Sequence, residues 1–361
     1  MTNSNATADA RAWLDVDLGA LLRNARRFQE LTRTPLLPMV KANGYGLGAR
    51  AVAGALEGLA PWGYGVAGSG EAAELRAAGI TRPIISFTPL TPDAAAIAAA
   101  RAARLRPVIG DLATLAAWGA AGGGPFHLEI DTGMSRSGFR WHEAATLTRL
   151  AERLRDAADW EGVFTHFHSA DSDPESARAQ LERFHAVLAL LPARPPLVHF
   201  ANSAAGALSG EARADLARPG IFLYGGRAGE LVPEPVARLR ARVVSLRRLR
   251  QGDTVSYGAE AEVESDTTIA TLSVGYADGV LRALGSRGMV ELGGVLVPIV
   301  GRVTMDMLMV DVEDLPVAVG DVATLFGGLL ALDDQAALAG TVSYELLTAI
   351  SARVPRRYQE P

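Results

Sequence analysis

No cysteine occurs in the 361 residues of the chain, and that absence excludes both a disulfide framework and a zinc site built on thiolates. The chain also lacks any stretch approaching the roughly 20 unbroken apolar residues that a membrane-spanning helix requires. Its first ten residues, Met1 to Ala10, are polar and have none of the apolar centre of a secretory signal, so a disordered tail over 1–10 and a cytoplasmic location are expected. Excess positive charge is missing as well. The net charge is −5, which offers nothing to a polyanion such as nucleic acid, and the cluster of arginines from Arg238 to Arg250 reads as a solvated strand face.

What the chain does contain is the composition of a soluble globular protein, 49% hydrophobic and 21% charged, at a length that suits two domains. Short apolar runs alternate with Ala/Leu/Arg-rich stretches of helical period through the first two-thirds, the pattern of repeated β-α units. The candidate strands are 36–42, 62–67, 83–87, 106–110, 126–131, 162–167, 197–203 and 217–225. Eight is the closure number of an α/β, TIM-type (β/α)8 barrel, expected here over 11–236. After Pro233 and Pro235 the texture changes to β-branched runs separated by Gly-Asp turns, at Gly252-Asp253 and Gly320-Asp321. That change predicts a C-terminal, mostly antiparallel β domain over 237–361, with one helix near Tyr344 to Ser351. The segment Trp13 to Leu18 can pair with either domain.

Chemistry in such barrels sits at the carboxyl ends of the strands. There stand Lys41, Asp131 with the Gly-Met-Ser-Arg136 that follows, His166, Ser203, Arg218 and Gly220. An amine desolvated at the end of a buried strand has its ammonium disfavoured, which is what a Schiff-base lysine needs, although a lysine snorkelling at a strand end fits the local sequence equally well. His166-x-His168 places two imidazoles on one strand face, as a metal-dependent barrel hydrolase would require. However, His127, His142, His185 and His199 are scattered, with no second histidine-rich strand end, and no metal is expected.

The run VKANGYG around Lys41 resembles the cofactor-lysine signature of the alanine racemases, with Leu47 where the family usually has histidine. DTGMSRSG, LARPGI, VSYGAE, GYADG and GRVTMDM resemble further segments of that family, in its order, and the likeness extends from WLDVDLGAL to RVPRRY. The resemblance implies a pyridoxal 5'-phosphate (PLP) enzyme that interconverts L-alanine and D-alanine by two bases, Lys41 on one face and Tyr257 of a partner subunit on the other, within a homodimer. It implies that Lys41 carries the cofactor, that Tyr45, Ser203, Gly220 and Ile221 bind its phosphate, and that His166 packs against it and contacts Arg218. Arg218 takes the place beside the pyridine nitrogen that other PLP enzymes give to a carboxylate; a guanidinium does not yield its proton, which disfavours transamination. Arg136 and the Met305 backbone N–H are implied for the substrate carboxylate, Asp306 for support and Tyr276 for the substrate entrance.

Two departures bear on this reading. Glu129 stands where many family members have a carbamylated lysine, and it is expected to orient Arg136 with a permanent charge; Ala352 stands where some relatives have a tyrosine near the phosphate, and Tyr358 is not assigned in its place. Serine or broad amino-acid specificity fits the same motifs, as do roles in alanine catabolism or in D-alanine supply for peptidoglycan precursors. A non-enzymatic PLP-binding homeostasis protein would lack the second domain. A PLP decarboxylase would want an acid beside the ring nitrogen and a substrate-binding cysteine.

Overall fold

The structure, a computed structural model, describes residues 10–208 and 214–360; apart from Ala10, the tail expected over 1–10 lies outside them. β1 (Ala12–Asp17) leads into a helix, Leu18–Thr32, whose first turn is capped by the Asp17 carboxylate accepting from the Ala20 N–H at 2.8 Å. The Asp-capped starts recur at Ala94–Ala102 on Asp93, Leu112–Ala120 on Asp111 and Pro174–Leu190 on Asp173. In each, a short acidic side chain satisfies an N–H that the helix itself leaves unpaired.

Six regular parallel strands form the larger part of the barrel wall: β2 (Tyr64–Val66), β3 (Ile84–Ser86), β4 (Arg106–Ile109), β5 (Phe126–Asp131), β7 (Trp160–Phe164) and β8 (Leu197–His199), adjacent in that order. A two-residue strand, β6 (Phe139–Arg140), adds to the end of β5. The stretches expected as strands at 36–42 and 217–225 are not regular strands. They close the ring through isolated rungs instead: Leu37 N to Ala217 O at 2.7 Å, Met39 N to Pro219 O at 2.9 Å, and Val40 N to Gly65 O at 2.8 Å. Pro35, Pro38 and Pro219 explain this, since each lacks the N–H a ladder needs. On the other side Asp215 N and Arg218 N bond the carbonyls of Val198 and Ala201, which completes closure. The expected strand 162–167 is shifted towards Trp160 and ends at Phe164.

The second sheet is built on β9 (Ala237–Leu249), thirteen residues long. Its first half alternates buried Ala237, Leu239, Ala241 and Val243 with more exposed arginines, so the arginine-rich run is a strand whose other face enters the core. β10 (Thr254–Val255) and β11 (Ala261–Glu262) form a small ribbon. β12 (Thr267–Leu272), β15 (Leu308–Asp311), β14 (Val295–Val300), β13 (Met289–Leu292) and β16 (Val322–Phe326) run from one edge of β9 back to it, all antiparallel, so these strands wrap into a closed unit. β1 pairs antiparallel with β9 and parallel with β17 (Arg356–Gln359). The segment Trp13–Leu18 is therefore bound, through Asp17, to the second sheet, and within 11–236 the barrel's own chain starts at the helix Leu18–Thr32. One continuous apolar cluster runs from Leu14 and Phe28 through Tyr224 to Leu239 and Val310. The helix Ser343–Thr348 falls where one was expected.

Candidate active site

Lys41 does not close a strand; it opens the short turn Lys41–Tyr45. The four residues after it are left-handed, with φ of 53° at Ala42, 55° at Asn43, 62° at Gly44 and 53° at Tyr45. Each non-glycine residue there costs on the order of 1 kcal/mol, so the turn needs external ties. The Asn43 side chain accepts from the Ala49 N–H at 2.9 Å, and the Glu71 carboxylate accepts from Ala42 N–H and Ala67 N–H, both at 2.7 Å. Leu47, the departure from the usual histidine, is fully buried, and its carbonyl accepts from the Tyr358 hydroxyl at 2.9 Å. Lys41 is also the only lysine in the chain, the other 34 of its 35 lysines and arginines being arginine. That count was available in the sequence and is a sharper signal than the strand-end position.

Lys41 lines a cavity of about 280 Å³ together with Tyr45, Arg136, His166, Ser203, Arg218 and Gly220, so seven of the expected residues are brought together. Burial, followed by the charge of Arg136, lowers the Lys41 ammonium; Glu71 opposes this and Arg218 adds to it. Among the described residues the amine has no hydrogen-bond or ion-pair partner. The Tyr45 ring stacks on Tyr224 at 4.4 Å, while its hydroxyl lies against Gly220, where any side chain would collide with it. Burial holds that phenol protonated far above the ordinary range, and among the described residues it donates to nothing. The Ser203 hydroxyl accepts from Gly220 N–H at 2.8 Å, and Ile221 is buried directly behind. Unpartnered hydroxyl, serine and tight glycine form a cradle suited to a phosphate. Tyr344, which the sequence reading did not single out, enters the same cavity from the second domain, whereas Tyr358 is committed to Leu47.

Arg218 is 3% exposed, and its acceptors are His199 Nδ1 at 2.9 Å and the carbonyls of Thr165 and Phe200 at 3.0 and 3.3 Å, with no carboxylate among them. Burial pulls its guanidinium down to about 9, still cationic at neutral pH. The contact expected with His166 is electrostatic rather than a hydrogen bond: burial first, then Arg218, lower the His166 imidazole to about 3. His199 and His127, read from sequence as scattered, lie 2.8 Å apart and are both fully buried. Because Arg218 only donates, His199 must carry its proton on Nε2 and donate from there to His127 Nδ1, and His127 Nε2–H then points at Glu161 Oε2, 3.2 Å away. Glu161 in turn accepts from Arg106 at 3.1 Å. A one-way hydrogen-bond chain thus runs from the cavity through the barrel interior.

The loop bearing Arg136 is folded by Asp131, whose Oδ1 accepts from Gly133 N–H at 3.0 Å and Ser135 N–H at 2.9 Å. Arg183 holds the Thr132 carbonyl from outside. Glu129 is 4% exposed and accepts from the Ser137 hydroxyl at 2.6 Å, not from Arg136. Burial raises its carboxyl, while Ser137, Arg136 and Arg218 pull the other way. His168, the other half of the histidine pair, bonds Ser169 and Ser176.

Tyr257, Tyr276, Met305 and Asp306 are not brought to the cavity of their own chain. They lie on the second domain with large exposure, 72% for Tyr257, 52% for Met305 and 44% for Tyr276. Two of their loops are fastened together, Tyr276 N–H donating to Thr304 O and Ala277 N–H to Met305 O. Asp306 Oδ1 accepts from Arg353 at 2.6 Å. Tyr257 begins a turn after the left-handed Ser256, whose hydroxyl bonds the Arg302 carbonyl.

The model "Alanine racemase, N-terminal domain" matches residues 16–228, and "Alanine racemase, C-terminal domain" matches 236–358. An alanine racemase of Desulfovibrio desulfuricans is 38% identical, across 98% of this chain and 99% of its own length. One from Deinococcus radiodurans is 39% identical, across 96% and 99%. Among solved structures, the biosynthetic alanine racemase of Pseudomonas aeruginosa superposes with a TM-score of 0.89 at 37% identity, covering 97% of this chain and 99% of its own. The Bartonella henselae alanine racemase with covalently bound pyridoxal phosphate superposes at 0.90 with 30% identity, covering 97% and 100%.

Proposed function

Because the chain belongs to the alanine racemase family, we propose that it interconverts L-alanine and D-alanine with PLP as cofactor, as a homodimer whose active sites draw on both subunits. The observation that carries this reading is the company of the sole lysine: among the described residues it faces a cavity holding a buried arginine with no carboxylate acceptor and a phenol with no hydrogen-bond partner. The hydroxyls of Tyr45 and Ser203 and the backbone of Gly220 and Ile221 would hold the phosphate, with Tyr344 adding the hydroxyl that Ala352 cannot. Arg218 would stand at the ring nitrogen, and neutral His166 against the ring. When bound, the cofactor supplies an electron-withdrawing ring that acidifies the α-C–H of an amino acid.

The chain's own groups do the rest. Lys41, with its ammonium lowered by burial, holds or releases a proton at Nζ on one face. Tyr257 serves the opposite face at its hydroxyl. Its exposure, and its absence from the lining of its own chain's cavity, support a site that belongs to a second copy. Arg218 keeps its protons and offers the ring nitrogen a donor and a charge, so return of the proton to carbon is favoured over its relocation. Arg136 and the Met305 N–H would grip the substrate carboxylate, with Asp306 steadying the Met305 loop and Tyr276 at the entrance. Glu129 supplies a fixed carboxylate near Arg136 without modification. Purified protein supplied with PLP is expected to show a visible absorption band that borohydride removes, and to abolish the optical rotation of L-alanine. Protein that binds PLP yet leaves L-alanine optically pure overturns the reading; a panel of L-amino acids measures its breadth.

A further inference from the structure

The last regular hydrogen bond between the segment carrying Lys41 and β2 is Val40 N–H to Gly65 O at 2.8 Å. Beyond it the chain leaves the barrel wall in the left-handed turn, and the next donors on the two sides, Ala42 N–H and Ala67 N–H, have no carbonyl opposite among the described residues. One side chain takes both. Glu71, in the first turn of the helix Ser69–Ala77, puts Oε1 on Ala42 N–H and Oε2 on Ala67 N–H, each at 2.7 Å. We propose that Glu71 is a positioning residue of this site: its carboxylate stands in for the missing rung, ties the turn behind Lys41 to the end of β2, and so fixes where the amine is presented.

A neutral amide cannot replace it fully. Glutamine has one accepting oxygen, and its NH2 would oppose the second N–H donor. The charge matters as well as the tie. Of the groups acting on Lys41, Arg136 and Arg218 disfavour its ammonium, while Glu71 favours it; neutral His166 stands among them. Glu71 thus acts against the two arginines, favouring the protonated amine that an acid–base group must form between transfers.

This role rests on the assignment of Lys41 as the cofactor lysine, but its test does not need the cofactor. With a single lysine, protein grown on 13C-labelled lysine shows one side-chain ε-carbon resonance, whose pH titration in the cofactor-free dimer reports Lys41 alone. In Glu71→Gln the midpoint is expected to fall by roughly 0.5 to 1 on the pH scale, and amide exchange at Ala42 and Ala67 is expected to quicken by about tenfold or more. Glu71→Ala should move both further; if it fails to fold, the near-isosteric glutamine variant still decides. Either an unmoved lysine titration or unchanged amide exchange at Ala42 and Ala67 in Glu71→Gln overturns the proposal. Wild-type protein that captures no PLP at Lys41 on borohydride trapping would instead overturn the cofactor assignment and leave the titration result standing.

Discussion

Replacing His199 with phenylalanine tests the buried chain behind Arg218. His199 is fully enclosed, and burial together with Arg218 holds its imidazole well below the ordinary 6.5. In the unfolded chain it returns to that ordinary value. A base whose folded value is depressed stabilises the fold fully above about pH 6.5, and the contribution drains away as the pH falls from there towards the folded value. At about pH 5.5 an unfolded histidine is roughly nine-tenths protonated while His199 in the fold is neutral, so the protein loses about 1.4 kcal/mol through this residue and takes up close to one proton on unfolding. His166, held at about 3, acts in the same direction, as does His127. The assay is potentiometric: proton uptake on urea unfolding of the cofactor-free protein, wild type against His199→Phe. Wild type should take up about one proton more at about pH 5.5 and nearly the same number at about pH 7.5. The variant should also lose roughly 2–5 kcal/mol at neutral pH, because Arg218 Nη1 and His127 Nδ1 each lose a buried partner. Equal uptake at the lower pH would refute a neutral His199 and with it the direction of the hydrogen-bond chain.

Gly220→Ala puts a methyl group against the Tyr45 hydroxyl; overpacking of about 1–3 kcal/mol translates into PLP binding weaker by roughly 5- to 150-fold, read by titrating cofactor-free protein. Glu129→Gln removes the carboxyl near Arg136 and should raise KM for alanine by roughly fivefold, about 1 kcal/mol of lost attraction, with kcat nearly unchanged; an unchanged KM would leave Glu129 no part in substrate binding. Lys41→Ala should leave no borohydride-trapped phosphopyridoxyl group on any side chain, read by intact mass, since no other lysine exists.

The inner barrel strands were legible because short apolar runs between helical stretches have few other places to go. The two closing segments were not legible as rungs rather than strands: their apolar content is that of a strand, but Pro35, Pro38 and Pro219 remove the donors that would make one. Lys41 was legible as a site residue, but its left-handed turn was not, since only Gly44, Gly46 and Gly48 advertise such backbone, and Ala42, Asn43 and Tyr45 share it. His127 and His199 looked unrelated at 72 residues apart because pairing across a barrel interior leaves no spacing signature. Glu71 was missed for the same reason, its partners being backbone N–H groups 4 and 29 residues away. Tyr257 and Tyr276 came from motif alone; a single chain places them on its surface, apart from the cavity that Lys41 lines.

The central claim is that two acid–base groups on two different subunits flank one reacting carbon. Lys41→Ala and Tyr257→Phe dimers, each inactive in racemisation, should regain about a quarter of wild-type activity when mixed and allowed to exchange subunits, because half the dimers then carry one site with both groups intact. Activity that stays at the level of the separate variants, with exchange confirmed by mass, would contradict a site shared between subunits.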